Sequence, residues 1–178
     1  MKCNVIEGLT NLRKIEMLHL RGNICKLLAA SGLDKPFGMT FGNLKMLSLH
    51  EVDLSEQLQF SLALNFIQSC PSIQELNIQA ATPSGINTAG NNLDNVWNSG
   101  NKMVNLQKVR FFNIMGLHSE LKLIRILLAS APKLKKFFVS TKKRFSGDRK
   151  SRILIKLMKF SRASPEAQLE FVDPPSFV

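Results

Sequence analysis

Apolar residues recur along this chain at positions i, i+3 and i+5, with polar residues between them. The pattern returns with steps of 29, 29, 33 and 28 residues, starting at Ile15, Leu44, Ile73, Leu106 and Leu134. The last apolar positions of each unit alternate with polar ones, which is the period of a β-strand with one buried face. We therefore predict parallel strands, paired in sequence order, at 17–21, 46–50, 75–79, 108–112 and 136–140.

The segments between these strands carry helical spacing. We predict one helix from Leu54 to Cys70, capped by Ser55, with an inner face made of Leu58, Leu62, Phe66, Ile67 and Cys70. A second is predicted from His118 to Ala131, capped by Ser119, with an inner face made of Leu121, Ile124, Leu127, Leu128 and Ala131. A third, from Ser151 to Phe160, should bury Ile153, Leu154, Leu157 and Met158. The alternation Ala167-x-Leu169-x-Phe171 predicts a final strand.

A period of roughly 20–29 residues with this spacing is typical of leucine-rich repeats, in which one strand and one return segment form each unit. Such units bury their apolar faces only by stacking. The prediction is an α/β fold: an irregular leucine-rich-repeat solenoid with a parallel sheet and helical return segments. Irregularity is expected because regular repeats place Asn three residues after the last core position, and only Asn23 conforms. We assign repeats to residues 9–110 and a C-terminal region that continues the stack to 106–172.

The outward side chains of the strands are the candidate partner-binding surface, because repeat proteins usually present a surface rather than perform chemistry. The residues that we select are His19, Arg21, His50, Asn77, Gln79, Arg110, Phe112 and Phe138. Phe112 and Phe138 should lie diagonally on adjacent strands, where exposed aromatic residues favour binding. The alternative is that both rings pack under the C-terminal helix.

Positive charge is concentrated in one segment. The formal net charge is +11, and residues 133–162 hold twelve Lys and Arg against one acid, whereas the remainder holds twelve of each sign. The candidate basic patch comprises Lys142, Lys143, Arg144, Arg149, Lys150, Arg152, Lys156 and Lys159. Such a block attracts phosphate, acidic protein or acidic lipid, or simply forms a solvated surface. One continuous basic face would favour nucleic-acid association, and scattered charges would favour a protein-interaction module.

No catalytic or cofactor motif accompanies these patterns. His19, His50 and His118 lack partners at metal-ligand spacing, and the phosphate-binding and hydrolase motifs are absent. Cys3, Cys25 and Cys70 are widely spaced, as expected of reduced core thiols in a cytosolic or nuclear protein. No apolar run is long enough to span a bilayer. We therefore expect no enzymatic activity, no cofactor, no bound metal and no membrane partner. Trp97, in the polar segment 82–100, is expected to pin that loop or to anchor a partner.

Two segments, Phe112–Lys136 and Leu157–Phe171, resemble the FBD domain of plant F-box/LRR proteins. Asn11–Leu20 and Cys70–Leu76 are similar to the repeats of that family. In the family, an N-terminal F-box helix bundle docks on the Skp-type adaptor of a cullin–RING ubiquitin ligase, and the repeats select the protein to be ubiquitinated. The residues before Leu9 are too few for that bundle. The resemblance thus implies an unknown protein substrate, and adaptor binding only if a longer form carries an F-box.

Two functions are compatible with this sequence. The first is a protein-interaction module resembling the substrate-recognition part of an F-box ubiquitin ligase receptor. The second is a nucleic-acid-associated module that uses the basic segment. Specific nucleic-acid recognition is not expected, because the block offers charge without interleaved aromatic residues or an obvious reading helix.

Overall fold

Six parallel strands form one sheet in the part of the chain that the structure describes. The computed structural model describes residues 14–33, 38, 40–83 and 102–172. The strands are β1 (Met17–Arg21), β2 (Met46–Val52), β3 (Glu75–Ala80), β4 (Lys108–Ile114), β5 (Lys136–Thr141) and β6 (Gln168–Phe171). They lie in sequence order, and each neighbouring pair is parallel. All five repeat strands and the final strand are therefore confirmed.

Four helices return the chain from one strand to the next within the described residues. They are α1 (Gly22–Leu28), which continues as a π-helical turn over Ala29–Leu33, α2 (Gln57–Gln68), α3 (His118–Ser130) and α4 (Gly147–Met158). Parallel strands need such crossovers, because a tight hairpin joins only antiparallel neighbours. The fold is thus α/β, and the leucine-rich-repeat interpretation is consistent with it. The segment that contains Trp97 lies outside the described residues, so both predicted roles of Trp97 stay predictions.

The helix boundaries correct the sequence-based expectation. α2 begins at Gln57, because Ser55 does not cap it: the Ser55 hydroxyl and amide both donate to the Asp53 carboxylate in the preceding turn. Leu58 was predicted on the inner face but is 41% exposed. α4 begins at Gly147, four residues earlier than predicted, and its Met158 is 64% exposed instead of buried. Both misplaced residues lie on helix faces that no described element covers.

The repeat is visible in the backbone as well as in the side chains. The Glu16 carbonyl accepts hydrogen bonds from the amides of Lys45 and Met46, at 2.8 and 3.0 Å. One, two and three units later, the carbonyls of Lys45, Gln74 and Gln107 each accept hydrogen bonds from two successive amides in the same way. Each of these carbonyls belongs to the residue just before a strand, so every unit is hydrogen-bonded to the next in the same way. The equivalence of units that the sequence pattern predicted therefore extends to the hydrogen bonding between them.

The core is a row of apolar side chains beneath the sheet. Leu47, Leu76, Val109 and Phe137 stand in register on four adjacent strands, and none is exposed to solvent. The inner faces of the helices complete this layer, with Phe60, Leu64, Leu123 and Leu127 fully buried. Packing the two apolar layers together removes their side chains from water, and this burial is the main favourable term in folding.

Alternate strands carry a bulge near their carboxyl ends. Glu51 in β2 and Asn113 in β4 have positive φ angles of 57° and 61°, and the register shifts at both places. The bulge in β2 turns the Glu51 carbonyl towards Gly22, where a Cβ atom would stand 2.1 Å from that oxygen. Only glycine fits there. Asn23, which alone conforms to the regular Asn position of the repeats, is exposed, and its side chain accepts a hydrogen bond from the amide of Ile24.

Candidate functional site

The outward face of the sheet is a polar surface ordered in rows across the strands. The register places His19, Ser48, Asn77, Arg110, Phe138 and Glu170 in one row. These positions alternate with the core residues, so their side chains point away from the helices. Ser48 and Ser140 also stand on this face, but both are buried. Asn77 Nδ2 donates to Ser48 Oγ at 3.1 Å, and the Asn113 amide donates to Ser140 Oγ at 3.4 Å.

Arg110 joins three strands on this face. Its Nη1 donates to Glu75 Oε2 and to Asn77 Oδ1, each at 3.1 Å. Its guanidinium carbon lies 6.0 Å from the ring centroid of Phe138, and Lys136 Nζ lies 5.7 Å from the same centroid. The ring is therefore flanked by two cations, at separations where each contact contributes about 0.5–1 kcal/mol at an exposed site. The arrangement fixes an aromatic ring and a guanidinium side by side on a partly exposed surface.

Polar side chains at the carboxyl ends of the first strands extend this surface. The His50 Nδ1 and Gln79 Oε1 atoms are 3.2 Å apart, and the rings of His19 and His50 are 6.3 Å apart between centroids. The two histidines stand on different rows, since His19 pairs with Ser48 and His50 with Arg21. A further concavity of about 700 Å³ adjoins them, and Arg21 lies in its wall.

The predicted outward residues converge on one place. A concavity of about 230 Å³ on the sheet is lined by His19, Ser48, His50, Asn77, Ile78, Gln79, Arg110 and Phe112. Six of these eight residues were selected from the sequence alone. Phe138 lies beside the concavity, against Arg110. The alternative position of Phe112 and Phe138, under the C-terminal helix, does not occur: α4 buries Ile153 and Leu157 in the core, on the opposite side of the sheet.

Three of the eight candidate basic residues precede α4, and the other five lie in it or directly after it. Lys142 Nζ donates to Thr82 Oγ1 at 2.7 Å. The Arg149 guanidinium lies 4.0 Å from the Phe145 ring centroid and donates to the Met115 carbonyl at 3.2 Å. Lys143 and Arg144 are exposed in a turn, whereas Lys150 and Arg152 belong to α4. These cations therefore occupy different elements and make different contacts.

Lys156 and Lys159, both selected in the candidate basic patch, also meet residues of α3 that the sequence pattern did not link to them. They line a cavity of about 300 Å³ together with His118, Leu121, Lys122, Arg125 and Phe160. A signal was present: His118, Lys122 and Arg125 are spaced i, i+4 and i+7, so they share one face of α3. Only the tertiary structure brings that face against the end of α4.

The described thiols are poorly suited to nucleophilic or metal chemistry. Burial raises the pKa of Cys25 to about 11 and that of Cys70 to about 12, so both stay protonated at neutral pH. Across the described ranges, no three His, Cys, Asp or Glu side chains come close enough to hold a metal ion. No described helix combines the length and the apolar character needed to cross a bilayer.

One curated protein provides a comparison. The chain is 28% identical to an F-box/FBD/LRR-repeat protein of Arabidopsis thaliana over 136 residues, which cover 75% of this chain and 32% of that protein. This chain therefore spans about a third of the length of that relative. No family model and no solved structure matches the chain. The similarity supports a distant relation to the F-box/FBD/LRR-repeat proteins and a plant origin.

Proposed function

We propose that this chain is a protein-interaction module, the substrate-recognition part of an F-box ubiquitin ligase receptor, built as an irregular leucine-rich-repeat solenoid. The observation that carries the proposal is the convergence of six outward residues on one concavity beside Phe138. Aromatic and arginine side chains dominate the energetics of protein interfaces, and Arg110 and Phe138 lie together here. The similarity to an F-box/FBD/LRR-repeat protein also supports the proposal.

The adaptor would bind only a form that carries an F-box. Within the described ranges, α1, α2, α3 and α4 all return the chain between strands, so none of them supplies a separate adaptor-binding bundle. We propose that the chain acts by binding rather than catalysis, in the cytosol or the nucleus. Its partner is an unidentified protein, recognised on the outward face of the sheet.

A double substitution on the outward face tests this proposal. Replacing Phe112 and Phe138 by Ser should weaken partner binding by at least about tenfold, because both aromatic anchors are lost. The tagged wild type and the variant are compared by affinity capture from plant extract with quantitative mass spectrometry, followed by titration of each purified partner. The matched control is Leu27→Ser, since Leu27 is 56% exposed on α1, away from the sheet face. Partners retained by the Phe variant but lost by the control would contradict the proposal.

Nucleic-acid association is the second candidate, favoured by the net charge of +11. We expect weak binding that fades with salt, because each neutralised phosphate contributes a slope of about −0.9 in log K against log salt for duplex DNA. Competition titrations of labelled duplexes and single strands at about 0.15 M salt measure any preference. A preference above about a hundredfold, roughly 2.7 kcal/mol, would favour nucleic-acid recognition over protein recognition.

A further inference from the structure

The cavity between α3 and the end of α4 concentrates positive charge around an apolar floor. α3 contributes Arg125, and α4 with the turn after it contributes Lys156 and Lys159. His118 and the buried Lys122, which already has an interaction partner, also line the cavity. No carboxylate is among the described residues that line the cavity. Like charges held in one concavity repel each other and raise the local positive potential, which attracts an anion. The outward concavity of the sheet is a different surface and contains no residue of this cluster.

The apolar surface around these cations narrows the class of anion. Leu121 and Phe160 line the cavity itself. A sugar–phosphate backbone or a free phosphate gains nothing from such side chains. A polypeptide that carries an apolar anchor between acidic residues matches both features, since it buries apolar area while its carboxylates meet the lysines.

We propose that this cavity binds an acidic peptide segment of a protein partner, with one bulky apolar side chain seated between Leu121 and Phe160. The inference rests on the proposed role as a protein-interaction module, and it adds a second contact surface of defined chemistry. The two surfaces lie on different parts of the molecule: the strands supply the first, and α3 and α4 supply the second. A partner that spans both gains avidity from the linkage between its two segments.

Fluorescence-anisotropy titration of a labelled peptide tests the cavity directly. The probe carries one central phenylalanine flanked by Asp and Glu residues, and a second probe has Ser in place of that phenylalanine. The protein variants are Lys156→Glu with Lys159→Glu, in the cavity, and Lys143→Glu with Arg144→Glu, exposed in the turn before α4. Both pairs change the net charge equally, so general electrostatic attraction affects them alike. Circular dichroism checks that each variant is folded.

Saturable binding at about 0.15 M salt is expected for the wild-type chain, since a Debye length near 8 Å leaves close charge pairs effective. The cavity pair should weaken binding by at least about tenfold, and the turn pair by less than about threefold. The Ser probe should bind at least about tenfold more weakly than the Phe probe.

Equal loss in both pairs, equal binding of both probes, or no saturable binding overturns the inference. Displacement of the peptide by duplex DNA at equal charge concentration would also overturn it, in favour of a phosphate site. None of these results affects the outward face, which is tested separately by the Phe112 and Phe138 variant.

Discussion

Leu76→Ala is expected to lower the free energy of unfolding by about 2–5 kcal/mol, the range for truncating a buried leucine. Leu76 lies in β3, in register with Leu47 on one side and Val109 on the other, and it has no solvent exposure. Removing its side chain leaves a cavity between neighbouring units that a stacked sheet cannot easily close. Urea denaturation, followed by circular dichroism, measures the change.

Leu58→Ala is the matched control. The same three side-chain carbons are removed, but Leu58 is 41% exposed on α2, so the free energy of unfolding should fall by less than about 1 kcal/mol. A Leu76→Ala curve within about 0.5 kcal/mol of wild type would show that the register of β3 is wrong. Equal losses at the two positions would show that the core does not lie beneath the sheet as described.

Glu120 should make the chain less stable as the pH rises from 4.5 to 7. Burial raises the pKa of this carboxyl to about 7, although amides of the preceding loop and the Arg149 charge act in the opposite direction. The native state therefore keeps a proton that the unfolded chain releases near pH 4.5. Stability is fully present below that pH and is lost as the pH rises through 7. At about 1.36 kcal/mol per pKa unit, a shift from 4.5 to about 7 corresponds to about 3 kcal/mol.

Glu120→Gln isolates this contribution. The Met115 and Leu117 amides both donate to Glu120 Oε2, at 2.9 Å, and the amide oxygen of Gln can accept both bonds. The variant should match wild type at about pH 4 and exceed it by up to about 3 kcal/mol at pH 8. Urea titrations at several pH values give the difference, and the other titrating groups cancel between the two proteins. A difference between wild type and Glu120→Gln that does not vary with pH would contradict the assignment.

The strands were predictable from the sequence because their signal is local and repeated. Leu18, Leu47, Leu76, Val109 and Phe137 hold the same place in each unit, and the alternation around them sets both the strand and the face. A one-residue slip would bring polar side chains into the core, so the register follows from the pattern. The same alternation selected the outward residues that meet at the concavity.

The helix ends and the strand bulges were not predictable in this way, because they depend on neighbours. Ser55 has the right chemistry for a cap, but Asp53 takes its hydroxyl and the helix begins two residues later. Glu51 and Asn113 adopt positive φ angles where β2 and β4 carry one residue more than their partners. The sequence alone does not show which strand carries the extra residue, because that depends on how the strands pair.

The cavity between α3 and α4 shows the same limit for a candidate site. The basic stripe of Arg152, Lys156 and Lys159 was visible, and so was the spacing of His118, Lys122 and Arg125. The contact between these two sets of residues could not be read from the sequence, because it depends on how the turn at 115–117 packs against α4. That contact depends on Gly116, which has a φ of 78° and where a Cβ atom would stand 2.8 Å from Ile153 Cγ1.

Photo-cross-linking from the outward face tests the central claim most directly. We expect p-benzoylphenylalanine placed at Phe138 or Phe112 to form cross-links to a partner protein in plant extract, because both rings stand on the surface that we assign to recognition. The same group placed at Leu27, exposed on α1, should form none. Mass spectrometry identifies the cross-linked protein and the contacting peptide. Cross-links from position 27, with none from positions 112 and 138, would contradict the assignment of the outward sheet face as the partner-binding surface.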